Sequence, residues 1–337
     1  MKQMYPIQGL SKARRLKWDS PQNVISWAYM KELREHDKTR RVYDVDPYIE
    51  VYQFRDNLYS LFHPNCDGKG DVWMHLIIGP ERALLIDTGY GLGDIRGLAD
   101  LITGGKELIV VNTHDHFDHA YGNCRFEKVY CHEYLVPYLE MQHAHIWDYL
   151  FDEFGDNIWL DFDRKDLPVF KKYEIVGVPD GYTWDLGDGY EVELIFTGGH
   201  AAGHAAYLDK HNRILFPGDN ICSDISGCGS VGDCVRPGPH SECQQLAFYR
   251  ERVKLLVDRM DEYDYIFPSH LMLNIENNLM PNILTALDEI LADPGACDYK
   301  IETWSKFPGP GQKNTRYFKY IKGFSVIGYG YQPEGEA

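Results

Sequence analysis

The stretch Asn112-Thr113-His114-Asp115-His116-Phe117-Asp118-His119 places three imidazoles and two carboxylates within six residues. Imidazole nitrogen and carboxylate oxygen are ligands that zinc favours, and iron and manganese accept them too. His114 and His116, two apart on a turn, can converge on one ion, which leaves Asp118 and His119 directed at a second. Four ligands do not complete two adjacent sites, so further donors must come from elsewhere. Three apparent strand ends offer them. Thr197-Gly198-Gly199-His200 carries glycines that permit a tight turn beneath a ligand. Nineteen residues on, Phe216-Pro217-Gly218-Asp219 ends in a carboxylate, and 51 residues further Ile266-Phe267-Pro268-Ser269-His270 ends in an imidazole. A lone His or Asp at a strand end usually serves structure; in this order, after the first cluster, the three reinforce one another.

The elements that must position these groups can be read from hydrophobic periodicity. Short strands are expected at Tyr48–Phe54, Asn57–Phe62, Val72–Ile78 and Ala83–Ile86, separated by Gly, Pro, Asn and Asp. Gly93–Ile102 reads as a helix, and the apolar run Leu108–Asn112 as a buried strand leading straight into the polar cluster. Further strands are expected at Glu174–Val178, Tyr190–Phe196, Ala205–Leu208, Arg213–Phe216 and Tyr265–Phe267, with more in Tyr299–Tyr331. Helices are expected within Trp18–Lys38 and over Glu133–Phe154, Glu242–Met260 and Asn277–Ala292. Both halves run from strands to helices, which predicts two sheets packed face to face with helices outside. The expected organisation is an N-terminal extension over 1–46, a core over 47–275 with an aromatic helical insertion near 133–170, and a C-terminal helix with strands over 276–337.

Together these motifs resemble the metallo-β-lactamase-fold superfamily of hydrolases, from about Leu84 to His270. Ile86-Asp87-Thr88-Gly89 resembles the family's first motif, whose Asp supports the metal site without touching the metal. The resemblance implies an α/β, four-layer αββα sandwich with the site at one edge of the two sheets. It implies two divalent ions, zinc foremost, with manganese or iron as alternatives. His114, His116 and His200 would hold one, Asp118, His119 and His270 the other, and Asp219 would bridge them. Two such cations lower the pKa of a shared water from 15.7 toward about 7, supplying hydroxide to attack an ester, lactone or thioester. Asp118 would orient that nucleophile, and Asp87 would fix the tautomer of a ligand imidazole. The bridging Asp219 and the His after Asp118 point to the hydroxyacylglutathione thioesterase and lactonase branch rather than to true β-lactamases. Phosphodiester hydrolysis on the same metal pair, and single-iron oxidoreduction of the persulfide dioxygenase type, stay open as alternatives.

Other residues carry less. Tyr90, Tyr121, His204, Tyr207 and Cys222 flank the motifs and are candidates for the substrate pocket, but with 24 tyrosines in the chain proximity in sequence says little. The segment holding Cys222, Cys228, Cys234 and Cys243 lacks the short Cys-x-x-Cys spacing of structural zinc sites. It reads as a Gly-rich loop over the mouth rather than a second metal site or disulfide pair. The insertion containing His143, His145, Trp147, Tyr149, Phe151, Phe154 and Trp159 reads equally as a helix packed on the body or as a lid.

Composition limits the partners. The 337 residues are 44% hydrophobic, enough for a sizeable core and for about two domains. With 34 basic against 51 acidic residues, the net charge of −17 repels phosphate backbones and anionic membranes. No long basic stripe offsets it; Lys12–Lys17 is a single short cluster. A small-molecule substrate, no nucleic acid and no membrane partner are therefore expected, and a homo-oligomer is compatible with this composition. No signal-like or spanning apolar run is visible, so a cytoplasmic protein with reduced thiols is expected.

Overall fold

Period-two alternation sorts the first-sheet side chains onto two faces, as pleated strands require. In Val72–Ile78 the residues Trp73 and Ile77 enter the core between the sheets, whereas Met74 and Leu76 face outward; in Arg82–Ile86, Leu84 and Ile86 point in and Ala83 and Leu85 out. The structure is a computed structural model and describes residues 6–7, 14–15, 24–63, 71–235, 237–305 and 312–333. Cys66 and the start of the expected N-terminal helix, before Val24, lie outside the described residues.

Among the described residues a nine-stranded sheet has the order Pro6–Ile7, Arg41–Tyr43, Asp46–Arg55, Leu58–His63, Val72–Ile78, Arg82–Ile86, Glu107–Val111, Lys128–His132 and Glu174–Val178. Its first part is antiparallel, and from Arg82–Ile86 onward the pairing is parallel. A six-stranded sheet runs Thr183–Asp185, Glu191–Phe196, Ala205–Asp209, Ile214–Phe216, Tyr265–Ile266 and Ile275–Glu276. Tyr52, Phe62, Trp73, Leu84 and Val111 of the first sheet meet Trp184, Leu194, Tyr207 and Phe216 of the second in one buried cluster. Each such side chain contributes roughly 1.5–3 kcal/mol on burial.

Helices cover both outer faces. Ile95–Thr103 buries Ile95, Leu98 and Ala99 on the first sheet, and Asp94 caps it by accepting from the Gly97 amide. Leu246–Asp258 and Met280–Ala292 bury Tyr249, Val253, Ile283 and Leu287 against Ala206, Leu208 and Leu215 of the second sheet. The layering is αββα, as the resemblance implies.

Two segments differ from expectation. Glu133–Phe154 is helical only in short pieces: a 3-10 turn at Glu133–Leu135, an α-turn at Val136–Leu139 and a 3-10 turn at Asp148–Leu150. Local polar bonds compete with the helix here, as where His143 Nδ1 accepts from the His145 amide at 3.1 Å. Its aromatics pack at irregular spacing: Ile146, Trp147 and Leu150 are buried with Tyr90, Leu92 and Cys124, while Phe154 is exposed. The Gly/Cys/Pro-rich segment is not simply a loop either. Ile225–Ser230 is a strand that pairs in parallel with Val326–Gly330, in a third sheet completed by Gln312–Tyr320 and Tyr299–Ser305. Glycines hid it, because they lower strand propensity even where a neighbour needs their space. Among the described residues, no helix is long and apolar enough to cross a membrane.

Candidate metal centre

The first ligand loop leaves the end of Glu107–Val111 and is pinned by Asp87 on the neighbouring strand end. Asp87 Oδ1 accepts from the Thr113 amide and Oδ2 from the Thr113 hydroxyl, both at 2.7 Å. Asp87 itself sits at φ 64°, a left-handed conformation that Asp tolerates better than most residues. Across the sheets, the Ala205 amide donates to Thr113 O at 2.9 Å and the Tyr207 hydroxyl to Asn112 O at 2.8 Å. His114, His116, Asp118 and His119 are thus presented by a loop tied to both sheets and by the short helix Phe117–Ala120.

The His200 loop turns on Gly198 and Gly199, at φ 58° and 80°. A Cβ at Gly198 would lie 2.3 Å from Cys243 O, so only glycine fits. Asn220 holds this turn: its Oδ1 accepts from the His200 amide, and its Nδ2 donates to Thr197 Oγ1 and Gly198 O, all at 2.9 Å. Next to it, Asp219 leads off from Gly218, whose Cβ would lie 2.6 Å from His204 Nε2. The His270 loop is held from below by Val72–Ile78. The Trp73 amide donates to Ser269 O at 2.7 Å, Trp73 Nε1 to Leu271 O at 3.0 Å, and His75 Nε2 meets Pro268 O at 3.3 Å.

Four imidazoles spend one nitrogen outside the centre. Because carboxylates and carbonyls only accept, Nδ1–H donates from His119 to Asp87 at 2.9 Å, from His200 to Gly227 O at 2.6 Å and from His270 to Asp71 O at 2.7 Å. Thr113 already gives its proton to Asp87, so His114 Nδ1–H donates to Thr113 Oγ1 at 3.0 Å. All four Nε2 atoms therefore turn inward, where His116 presents Nδ1 instead.

The inward atoms form two groups. In one, His116 Nδ1 lies 3.1 Å from His114 Nε2 and 3.0 Å from His200 Nε2, with Asp219 Oδ2 3.9 and 3.6 Å from the same two nitrogens. In the other, Asp118 Oδ2 lies 3.4 Å from His119 Nε2 and 3.2 Å from His270 Nε2. Asp219 stands between them, with Oδ1 3.2 Å from His119 Nε2 and Oδ2 3.2 Å from His270 Nε2. Donors about 2.0–2.1 Å from one tetrahedral ion stand roughly 3.3 Å apart, so these spacings suit metal ligation. Two buried atoms that face each other here, His119 Nε2 and Asp219 Oδ1, have no hydrogen-bond partner. Orphaned buried donor atoms of this kind call for a cation.

The electrostatics divide the histidines into two pairs. Burial alone would raise the carboxyls of Asp118 and Asp219, but His119 and His270 hold both well below the usual carboxylate range. Burial would lower His119 and His270; the carboxylates of Asp118 and Asp219 outweigh it and push His270 up to about 10 and His119 well up too. Burial, with neighbouring imidazoles, pushes His200 down to about 4 and His114 well down. Asp118 and Asp219 are thus held ionised and His114 and His200 neutral, the states that ligate metal, whereas His119 and His270 carry protons that a bound cation would displace.

The remaining candidates fall into other roles. His204 is fully buried under the site, beside Thr197 Oγ1 and Asn220 Nδ2 at 3.0 and 3.1 Å, and stacks on His114 with 5.0 Å between ring centroids. It supports rather than lines the centre. Tyr207 belongs to the core between the sheets because its strand turns it inward, so it does not line a pocket. Cys222 is a buried thiol whose Sγ meets Asp219 O at 3.7 Å, and burial pushes its pKa well up. Tyr90 is buried beside Phe117, and Tyr121 packs on Phe117 and Trp147. Cys222, Cys228 and Cys243 form no disulfide, and among the described residues only the two groups above gather three or more metal-binding side chains. Sequence reasoning passed over Thr113 and Asn220, although each adjoins a ligand in the chain.

Fold and centre define the class. Residues 67–270 match the family described as Metallo-beta-lactamase superfamily, and the chain belongs to it. Among individual proteins, it is 27% identical over 228 residues to acyl-coenzyme A thioesterase MBLAC2 of Gallus gallus, covering 60% of this chain and 72% of that one. It is 27% identical over 224 residues to the Homo sapiens protein of the same name, covering 60% and 73%. A hydroxyacylglutathione hydrolase of Mesorhizobium japonicum is 23% identical over 202 residues, covering 59% and 62%.

Proposed function

We propose that the chain is a two-metal hydrolase of small-molecule thioesters, with zinc in both positions. The observation that carries this reading is Asp219 standing between two groups of three further donors, with its Oδ1 orphaned against His119 Nε2. The names of the relatives favour a thioester over a lactone or phosphodiester. Charge supports a small, freely diffusing substrate rather than nucleic acid or a membrane surface.

His114, His116 and His200 would hold one ion, Asp118, His119 and His270 the other, and Asp219 both. Metal ions held there would lower the pKa of water and polarise the thioester carbonyl. The protein's own part is positioning. Asp87 and Thr113 fix the His119 and His114 tautomers, the Gly227 and Asp71 carbonyls fix His200 and His270, and Asn220 sets the turn that aims His200. Asp118, ionised and mostly shielded from solvent, can accept a hydrogen bond from the attacking water and so orient it.

The test is metal analysis of purified protein with a panel of thioester, lactone, aryl ester and phosphodiester substrates, each with a chelator control. About two zinc ions per chain and chelator-sensitive thioester cleavage are expected. One iron per chain with no hydrolysis would replace this reading with oxygen chemistry.

A further inference from the structure

The third sheet brings a cation to the flank of the metal centre from outside the matched residues 67–270. In it Gly227 lies opposite Gly328 on adjacent strands. Arg316, on Gln312–Tyr320, lays its side chain over both. A Cβ at Gly328 would lie 3.0 Å from Arg316 Nε, and one at Gly227 would lie 2.7 Å from Arg316 Nη2. The same Gly227 Cβ would be 3.5 Å from His200 Nδ1. Two glycines thus clear a trough along which the guanidinium crosses one strand and reaches the flank of a ligand histidine.

At that point Arg316 is under-used. Of its five donors, one makes a hydrogen bond, from Nη2 to Gly328 O at 3.3 Å. Among the described residues no carboxylate pairs with it, in a chain with 51 acidic residues; the residue as a whole is exposed, although protein crowds its guanidinium. Desolvation by the surrounding protein lowers its pKa, yet an arginine stays charged at neutral pH. A structural brace would be expected to spend more of these donors on the protein.

We propose that Arg316 binds an anionic oxygen group, carboxylate or phosphate, on the thiol half of the substrate. This deepens the thioester reading and rests on it. The guanidinium and His200 Nδ1 flank the same space over Gly227, 2.7 and 3.5 Å from where a Cβ there would lie, away from the inward Nε2, so an anion held there would belong to a part of the substrate several bonds from the cleaved one. Its planar fork suits two oxygens at once. Arg316 is a specificity residue in this account and takes no part in bond breaking.

The experiment is calorimetric binding of three thiols to the full-length zinc-loaded protein: coenzyme A, which carries phosphates, glutathione, which carries carboxylates, and uncharged N-acetylcysteamine. The third reports the thiol–metal contact alone. The wild type should bind at least one anionic thiol ten times or more tighter than N-acetylcysteamine. Arg316→Met should collapse that ratio about tenfold or more, and Arg316→Lys should fall between. A loss confined to coenzyme A assigns phosphate; one confined to glutathione assigns carboxylate. A wild type without preference, an unchanged ratio in the Met variant, or equal weakening of all three thiols would overturn the proposal. If Arg316→Met does not fold, the wild-type ratio and the Lys variant still decide. Failure of the wild type to hydrolyse S-acetyl-N-acetylcysteamine would count against the thioester reading and leave the binding ratio readable.

Discussion

Asp87 Oδ2 and His119 Nδ1 lie 2.9 Å apart, both fully buried, and the same oxygen takes the Thr113 hydroxyl. One carboxylate therefore sets the tautomers of His119 directly and of His114 through Thr113. Replacing it by an amide removes the negative charge that favours this arrangement. Asp87→Asn should weaken zinc binding about 10–100-fold, measured against a competing chelator. Asn tolerates φ 64° as well as Asp does, so the backbone is not the cause of any loss. Unchanged affinity would show that the loop holds its imidazoles without Asp87.

Asp219 and His204 separate ligation from support. Asp219→Asn would exchange an anionic donor for a neutral one between the two cations of the proposed centre, whose mutual repulsion would then be less screened. At least one metal per chain should be lost and turnover should fall by orders of magnitude, with circular dichroism unchanged. His204→Ala should keep both metals but lower unfolding stability by roughly 1–3 kcal/mol, because buried polar partners at Thr197, Asn220 and the Asp219 amide lose theirs. Metal analysis and urea unfolding on both variants test this; loss of a metal from the His204 variant alone would reverse the two roles.

How much of this is legible in the chain depends on the range of the interaction. His114 to His119 declare themselves because four ligands lie within six residues, and His200, Asp219 and His270 because each follows a short apolar strand. What the sequence conceals is the layer that aims them. His200 and His270 are fixed by the backbone carbonyls of Gly227 and Asp71, which any residue type supplies and which lie 27 and 199 residues away. Nothing in the β-rich tail singles out Arg316, since its reach depends on two glycines in separate strands. The insertion misled for a related reason: its aromatics answer to Tyr90 and Leu92, not to a helical period.

A surface of net charge −17 without a basic stripe should show no salt-dependent affinity for duplex DNA or structured RNA near physiological ionic strength. Filter binding across a salt series checks this. Submicromolar binding with a steep salt slope would displace the small-molecule reading.

Asp46 gives a pH dependence separate from the metal ligands. Its side chain is fully buried, its Oδ1 accepts from the Tyr48 amide, and its Oδ2 has no hydrogen-bond partner. Glycine at 93 leaves room for it, since a Cβ there would lie 2.2 Å from Asp46 Oδ1. Burial raises its pKa from 3.8 to about 7, only partly offset by the Tyr48 amide and Arg125. The sign follows from proton counting. Between about pH 4 and 7 the folded chain keeps a proton that the unfolded chain releases, so raising the pH draws the equilibrium toward the unfolded state. The destabilisation is absent below pH 4, grows through that window and levels off above 7, at on the order of 4 kcal/mol from a shift of about three units. Asp46→Asn keeps the shape and the Tyr48 hydrogen bond but cannot ionise. It should therefore unfold at higher urea than the wild type at pH 8, while at pH 4 the two should come close together. A difference that stays constant from pH 4 to 8, or one that favours the wild type at pH 8, would mean that Asp46 is ionised and compensated in the fold.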